Sequence, residues 1–279
     1  MIQNFTELGF GIARAPVALT KALQEALLQG QTDHDITMED KAVHVPELGG
    51  PRSLFYNRSE LMDHALKVLQ PIASAWAGKG AIPLPLEPQE AYGIRVYRNQ
   101  SVWGMHVDKK ESHIIGVMYH IDHAAFSKPW PLVIEDLHGR THSLILSPGD
   151  ILLYESAKLL HGRPIPLDGA WYADVFCHYY PANLGWKQMD QQMETHYIIP
   201  PDWTDNTPRQ VDDEESLPPL RMVGTYFHEP TCPYGWCPAS SSEVKHWTGP
   251  AVAGHWIDPN HEAHEFREEL LIAHSGDEL

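Results

Sequence analysis

The feature that most limits the folds open to this chain is a succession of short β-rich runs over residues 92–180, each closed by turn formers. The runs cover 92–97, 113–121, 131–136, 142–146, 151–154, 159–163 and 171–179. Two of the breaks, Leu137-His138-Gly139-Arg140 and Ser147-Pro148-Gly149-Asp150, have the composition of tight turns. Many short strands in succession predict a sandwich or barrel. An immunoglobulin-like sandwich is the weaker alternative, because no Cys…Trp…Cys framework is present. Upstream, Leu19, Leu23, Ala26 and Leu27 fall at helical spacing within residues 17–28. Leu61, Ala65, Leu69, Ile72 and Trp76 predict a second helix from Ser59, with Glu60 in its first turn and a kink at Pro71. The expected architecture is mainly β, with helices packed outside the sheets.

With 279 residues the chain is long enough for one large domain, or for one plus an appendage. A hydrophobic fraction of 43% and a charged fraction of 20% exclude disordered, collagen-like and coiled-coil chains. Composition shifts after Gly185, and the proline-rich stretch 200–220 carries the acidic run Asp212-Asp213-Glu214-Glu215. The division expected is an N-terminal domain over 1–186, with helical support over 1–90 and a β core over 91–186, followed by an extension over 187–279. Trp203, Trp236, Trp247 and Trp256 need somewhere to bury their area, so the extension is expected to pack on the core.

Acidic residues outnumber basic ones 37 to 20, a net charge of −17, which repels phosphate backbones and argues against a nucleic-acid partner. No apolar run reaches the roughly 18 residues of a membrane span. Residues 1–14 lack the layout of a secretory signal, and a cytoplasmic location is expected. Gly276-Asp277-Glu278-Leu279 approaches an endoplasmic-reticulum retention signal, but its first residue is wrong and it is read as chance. A small-molecule or peptide partner fits this profile.

The chain holds 18 histidines, and histidine is the commonest metal ligand. His106-x-Asp108 follows a predicted strand, and on an extended backbone residues i and i+2 share a face. A second histidine would complete a facial set of two histidines and one carboxylate that leaves coordination positions open. His161, after the Pro-Gly-Asp turn and opening His161-Gly-Arg-Pro164, suits that role. The alternative is a pair of surface residues at a loop end. Cys232 and Cys237, with His228, His246, His255, His261 and His264 nearby, leave zinc binding, a disulfide and two free thiols open.

With these pieces in view, residues 92–181 resemble the iron(II)- and 2-oxoglutarate-dependent oxygenases, specifically their prolyl 4-hydroxylase-like branch. The matching motifs are Tyr-Gly-Ile-Arg-Val-Tyr (92–97), His106-x-Asp108, Ser-Pro-Gly-Asp (147–150) and His-Gly-Arg-Pro (161–164), with Gly169 and Tyr172 after them. The resemblance implies a double-stranded β-helix, the jelly-roll or cupin-like core. It implies Fe(II) bound by His106, Asp108 and His161, with 2-oxoglutarate and O2 as cosubstrates. Tyr97 falls where a family tyrosine bonds the oxo acid. The family's basic anchor for the distal carboxylate is missing, since Trp171 stands near its position and residues 167–178 hold no Lys or Arg. A buried carboxylate needs a charged partner, so Arg163 is assigned that role, with Arg95 and His178 in reserve. Asp108 argues for hydroxylation and against halogenation, which in this superfamily uses a site lacking the carboxylate.

The remaining aromatics Trp103, Trp130, Trp171 and Tyr119 are candidates for the pocket wall, against a plain core role. His113 is expected beside the ligands and His120 in a structural role. The activity expected is hydroxylation of an unactivated C–H bond in a proline-like, amino acid or peptidyl substrate. The alternatives are a small-metabolite oxygenase of the same fold and a non-catalytic cupin-like binding or sensing protein.

Overall fold

The structure, a computed structural model, describes residues 4–39, 48–78, 82–109 and 112–182, together with strand segments at 245–248, 255–257 and 263–265. The described elements begin with β1 (Phe10–Arg14), α1 (Val17–Asp33), β2 (Thr37–Met38), β3 (Leu48–Gly49), β4 (Leu54–Tyr56) and α2 (Ser59–Ala77). They continue through β5 (Leu86–Ala91), β6 (Ile94–Arg98), β7 (Val102–His106), β8 (Ile115–His123), β9 (Leu132–Glu135) and β10 (Thr141–Ile145). The last are β11 (Asp150–Tyr154), β12 (His161–Arg163), β13 (Trp171–Pro181), β14 (Lys245–Thr248), β15 (His255–Ile257) and β16 (Ala263–Glu265).

Strands β6 to β13 divide between two sheets, and the chain changes sheet at every step except the β9–β10 hairpin. One holds the order β11-β8-β13-β6 and the other the order β10-β9-β12-β7. Every pairing among these eight strands is antiparallel. This is the connectivity of a double-stranded β-helix, and it makes the fold a jelly roll. β1 extends the larger sheet beside β11, β15 pairs with β1, and β14 pairs in parallel with β10 at the edge of the smaller sheet.

Strand alternation sorts the larger sheet into two faces. One face, with Val117, Tyr119, Ile121, Ala173 and Val175, packs against Leu19, Leu23 and Leu27 of α1 and Met62, Leu69 and Ile72 of α2. The other face sends Phe10, Met118, Leu152 and Phe176 inward, where they meet Leu132, Ile134 and Leu144 of the smaller sheet. The sheet between the helices and the barrel interior is therefore apolar on both sides, and β8 reads as a nearly unbroken hydrophobic run.

Each of the seven β-rich runs contains a strand. The eighth core strand, β7, lies in no such run, because Gly104 and His106 interrupt its β-forming residues. The first helix runs on past residue 28 to Asp33 and closes on His34 in the left-handed region. Pro71 sits inside α2 without ending it. No helix among the described residues is long and apolar enough to cross a membrane.

Candidate metal centre

His106 ends β7 and His161 opens β12, and the antiparallel register sets them directly opposite one another. Each ring is oriented by its own backbone. His106 Nδ1 lies 2.9 Å from the carbonyl of Gly104, and His161 Nδ1 lies 2.8 Å from that of Leu159. A nitrogen facing a carbonyl carries the proton, so each Nε2 presents a lone pair, as ligating histidines do. Asp108 supplies the third donor. Its Oδ1 lies 3.6 Å from His106 Nε2 and 3.9 Å from His161 Nε2, and the three ligand atoms fall within 4.8 Å of one another. Asp108 lies beyond the end of β7, on a loop whose amide N–H donates to Ser156 O at 2.9 Å. The strand periodicity that suggested the pair thus applies to His106 alone, and a tertiary hydrogen bond aims the carboxylate.

The electrostatics suit a cation. Burial alone would raise the Asp108 carboxyl, but the imidazoles of His106, His178 and His161 outweigh it and hold the group well below the usual range. Burial pushes His161 down to about 4, with His106 adding to the effect and Asp108 opposing it. His161 is therefore neutral near pH 7, the form that ligates. Its Nε2 is buried with no hydrogen-bond partner among the described residues. The surroundings are aromatic. Trp103 lies 4.8 Å from the His106 ring, Tyr154 lies edge-on 4.8 Å from His161, and Phe176 packs 4.9 Å from Trp103.

Arg163 is fully buried, its guanidinium packed over the rings of Trp130 at 4.5 Å and Tyr172 at 4.4 Å, which themselves meet edge-on. Nη1 donates to Trp130 O, and Nη2 lies 3.3 Å from Asp174 Oδ2. Among the described residues Arg163 Nε, Tyr97 Oη and Tyr172 Oη are buried polar atoms with no hydrogen-bond partner, and Tyr97 pairs with Tyr172 in the β6–β13 ladder. Buried donors of this kind could hold a carboxylate. Asp174 also meets His120 Nδ1 at 3.2 Å, and His120 Nε2 meets His123 Nδ1 at 2.9 Å.

Several sequence expectations change here. Trp171 packs on the helix side of the larger sheet, so the inward residue next to the expected anchor position is Tyr172. Tyr119 also faces the helices and donates to Thr20 Oγ1 at 2.6 Å, whereas Trp103 and Trp130 do face the interior. Arg95 points inward near Trp103 and Phe176, but its Nε and Nη2 both donate to Glu39 Oε1, at 3.1 and 2.6 Å. His178, considered for the oxo acid, instead faces Asp108 Oδ2 at 3.6 Å, and His113 stacks on it. Asp174 carries no local signal that would have linked it to Arg163. Cys232 and Cys237 lie outside the described residues, as do the histidines expected beside them at 228 and 261.

The fold and the three converging donors define a jelly-roll protein with a candidate centre of two histidines and one carboxylate. No protein-family model matches the chain. No curated protein matches it either. Among solved structures, the chain is similar to a Trichoplax adhaerens prolyl hydroxylase in complex with a hypoxia-inducible-factor peptide fragment. That likeness has 13% identity and a TM-score of 0.47, and covers 65% of this chain and 86% of the other. A Pseudomonas putida prolyl-4-hydroxylase gives 14% identity and a TM-score of 0.47 over 62% of this chain and 93% of its own. The Streptomyces hygroscopicus protein HygX, with nickel, 2-oxoglutarate and hygromycin B bound, gives 12% identity and a TM-score of 0.43 over 63% and 84%.

Proposed function

We propose that this protein is an Fe(II)- and 2-oxoglutarate-dependent oxygenase that hydroxylates a C–H bond of a proline-like, amino acid or peptidyl substrate. The observation that carries the reading is the presence of two groups of polar side chains inside one barrel. At the mouth, His106, Asp108 and His161 turn three ligand atoms toward each other. In the same interior, Arg163 Nε, Tyr97 Oη and Tyr172 Oη have no hydrogen-bond partner among the described residues. A 2-oxo acid has a chelating end and a distal carboxylate, and the two sets match them. Two histidines and one carboxylate with open positions suit Fe(II).

In this reading His106, Asp108 and His161 hold the metal, and Arg163 and Tyr97 receive the distal carboxylate. Bound Fe(II) would supply O2 activation coupled to decarboxylation of the oxo acid. The chain contributes orientation and a dry site. Trp103, Tyr154 and Phe176, packed beside the two histidines, would keep water from that face. Residues 1–186 form the catalytic unit in this proposal and 187–279 an extension that belongs to it, supported by the pairing of β14 with β10 and of β15 with β1. A small-metabolite substrate, or ligand binding without turnover, are the competing readings.

The test is succinate formation from 2-oxoglutarate with Fe(II) and O2, first alone and then with candidate amino acids and proline-containing peptides. Metal-dependent succinate that rises with one of these substrates is the expected result. Metal and oxo acid binding without any succinate would overturn catalysis in favour of a binding protein.

A further inference from the structure

Asp108 is the least anchored of the three donors by its own element, since it sits on a loop while both histidines sit on strands. Its two oxygens nevertheless face different partners. Oδ1 lies toward His106 and His161, at 3.6 and 3.9 Å. Oδ2 is buried, makes no hydrogen bond, and lies 3.6 Å from His178 Nε2.

His178 is 4% exposed and belongs to β13. Its ring is held from two sides. His113 stacks on it with centroids 3.6 Å apart and planes 24° from parallel, and Tyr92 meets it edge-on at 5.9 Å. His113 is itself fixed, with Tyr92 Oη 3.1 Å from its Nε2 and Ser112 Oγ 2.7 Å from its Nδ1. Ser156 ties the two sides together. Its carbonyl accepts the Asp108 amide at 2.9 Å, and its hydroxyl donates to His113 O at 2.7 Å.

We propose that His178 is a positioning residue that clamps the outer oxygen of Asp108 and leaves the inner oxygen as a single ligand atom. This rests on the metal centre proposed above. The separation of 3.6 Å is just beyond hydrogen-bond range. A small rotation of the carboxylate toward a cation and His178 together closes it. With Oδ2 accepting the Nε2–H, the carboxylate binds through one oxygen, and the position a second oxygen would take stays open for ligands. Partners that hold a metal ligand from outside typically contribute 10–100-fold to metal affinity.

The experiment titrates Co(II) alone into the metal-free full-length protein and records both affinity and the visible d–d absorption band. His178→Phe keeps the ring volume and the stack but removes the N–H donor. It is expected to weaken Co(II) binding about 10–100-fold and to alter the band. His178→Gln returns an N–H donor near the Nε2 position and is expected to recover much of the affinity, which a purely packing role would not predict. A His178→Phe protein with wild-type affinity and an unchanged band overturns the clamp. Asp108→Ala separates the two proposals. If it abolishes Co(II) binding while His178→Phe does not weaken it, only the clamp fails. If the wild-type chain binds no Co(II), the metal centre itself is wrong.

Discussion

His106 and His161 occupy opposite positions of the β7–β12 ladder, their ring centroids 4.4 Å apart. The closeness depends on the residue after His161. A Cβ built on Gly162 would stand 2.6 Å from Gly104 O and 2.8 Å from Trp103 O, both backbone atoms that cannot yield without moving the strand. Gly162→Ala is therefore expected to push β12 away from β7 and weaken metal binding by about 10-fold or more, a magnitude taken from other displacements of metal ligands. Titration with Co(II) measures it, and unchanged affinity would show that the ladder tolerates the methyl group.

Metal binding should register as stability. Fe(II) at about 100 times its dissociation constant adds about 2.7 kcal/mol. For a chain of this size that raises the melting temperature by about 5–10 °C. Asp108→Ala and His161→Ala should lose this increment under anaerobic thermal unfolding. A full shift in His161→Ala would mean that the ion binds elsewhere.

The oxo acid site offers two contrasting substitutions. Tyr97→Phe removes a hydroxyl with no hydrogen-bond partner among the described residues, so folding stability should stay within about 0.5 kcal/mol while oxo acid affinity falls. Arg163→Ala strands the buried Asp174 carboxylate and should cost about 3–5 kcal/mol. Combining Arg163→Met with Asp174→Asn should recover most of that loss and still leave oxo acid binding impaired. Urea unfolding and calorimetric titration with 2-oxoglutarate read the two effects separately. Wild-type affinity in the double variant would transfer the anchor to Arg95.

Glu135 gives a pH dependence of definite sign. Burial raises its carboxyl to about 8, against 4.5 for an ordinary glutamate, and the bond from Thr141 Oγ1 at 3.0 Å only partly offsets this. The folded chain therefore holds a proton that the unfolded chain releases, and this residue's contribution to stability falls as pH rises from about 4.5 to about 8. Glu135→Gln cannot ionise. Its stability relative to wild type should be near zero at pH 4.5, rise with pH, and level off above pH 8 at about 5 kcal/mol. A difference that stays flat across that range would mean Glu135 is ionised in the folded protein.

Truncation after residue 182 removes β14, β15 and β16 and leaves β1 and β10 as bare edges. Unpaired strand edges invite association. The shortened protein is expected to aggregate or to melt at lower temperature than the full chain, as light scattering and calorimetry would reveal. A monomeric shortened protein with the full melting temperature and full succinate formation would make the extension dispensable.

Much of this architecture was legible from local pattern. Alternation and turn residues marked seven of the eight core strands, and the apolar spacing of Leu19, Leu23 and Leu27, and of Leu61, Ala65 and Leu69, marked both helices. These signals survive because strand and helix periodicity are properties of neighbouring residues. The His-x-Asp pair was visible as a two-residue spacing, although only His106 lies on a strand. His161 was singled out among 18 histidines by its turn and strand context, but its place across from His106 depends on how two distant strands register. The loop position of Asp108, the pairing of Arg163 with Asp174, the outward turn of Trp171 and the stack of His113 on His178 had no local signature. Each joins residues that meet only when the two sheets close around a common interior. Sequence periodicity determines which face of a strand is apolar, whereas barrel closure decides which polar groups share that interior and which of them keep an unsatisfied atom.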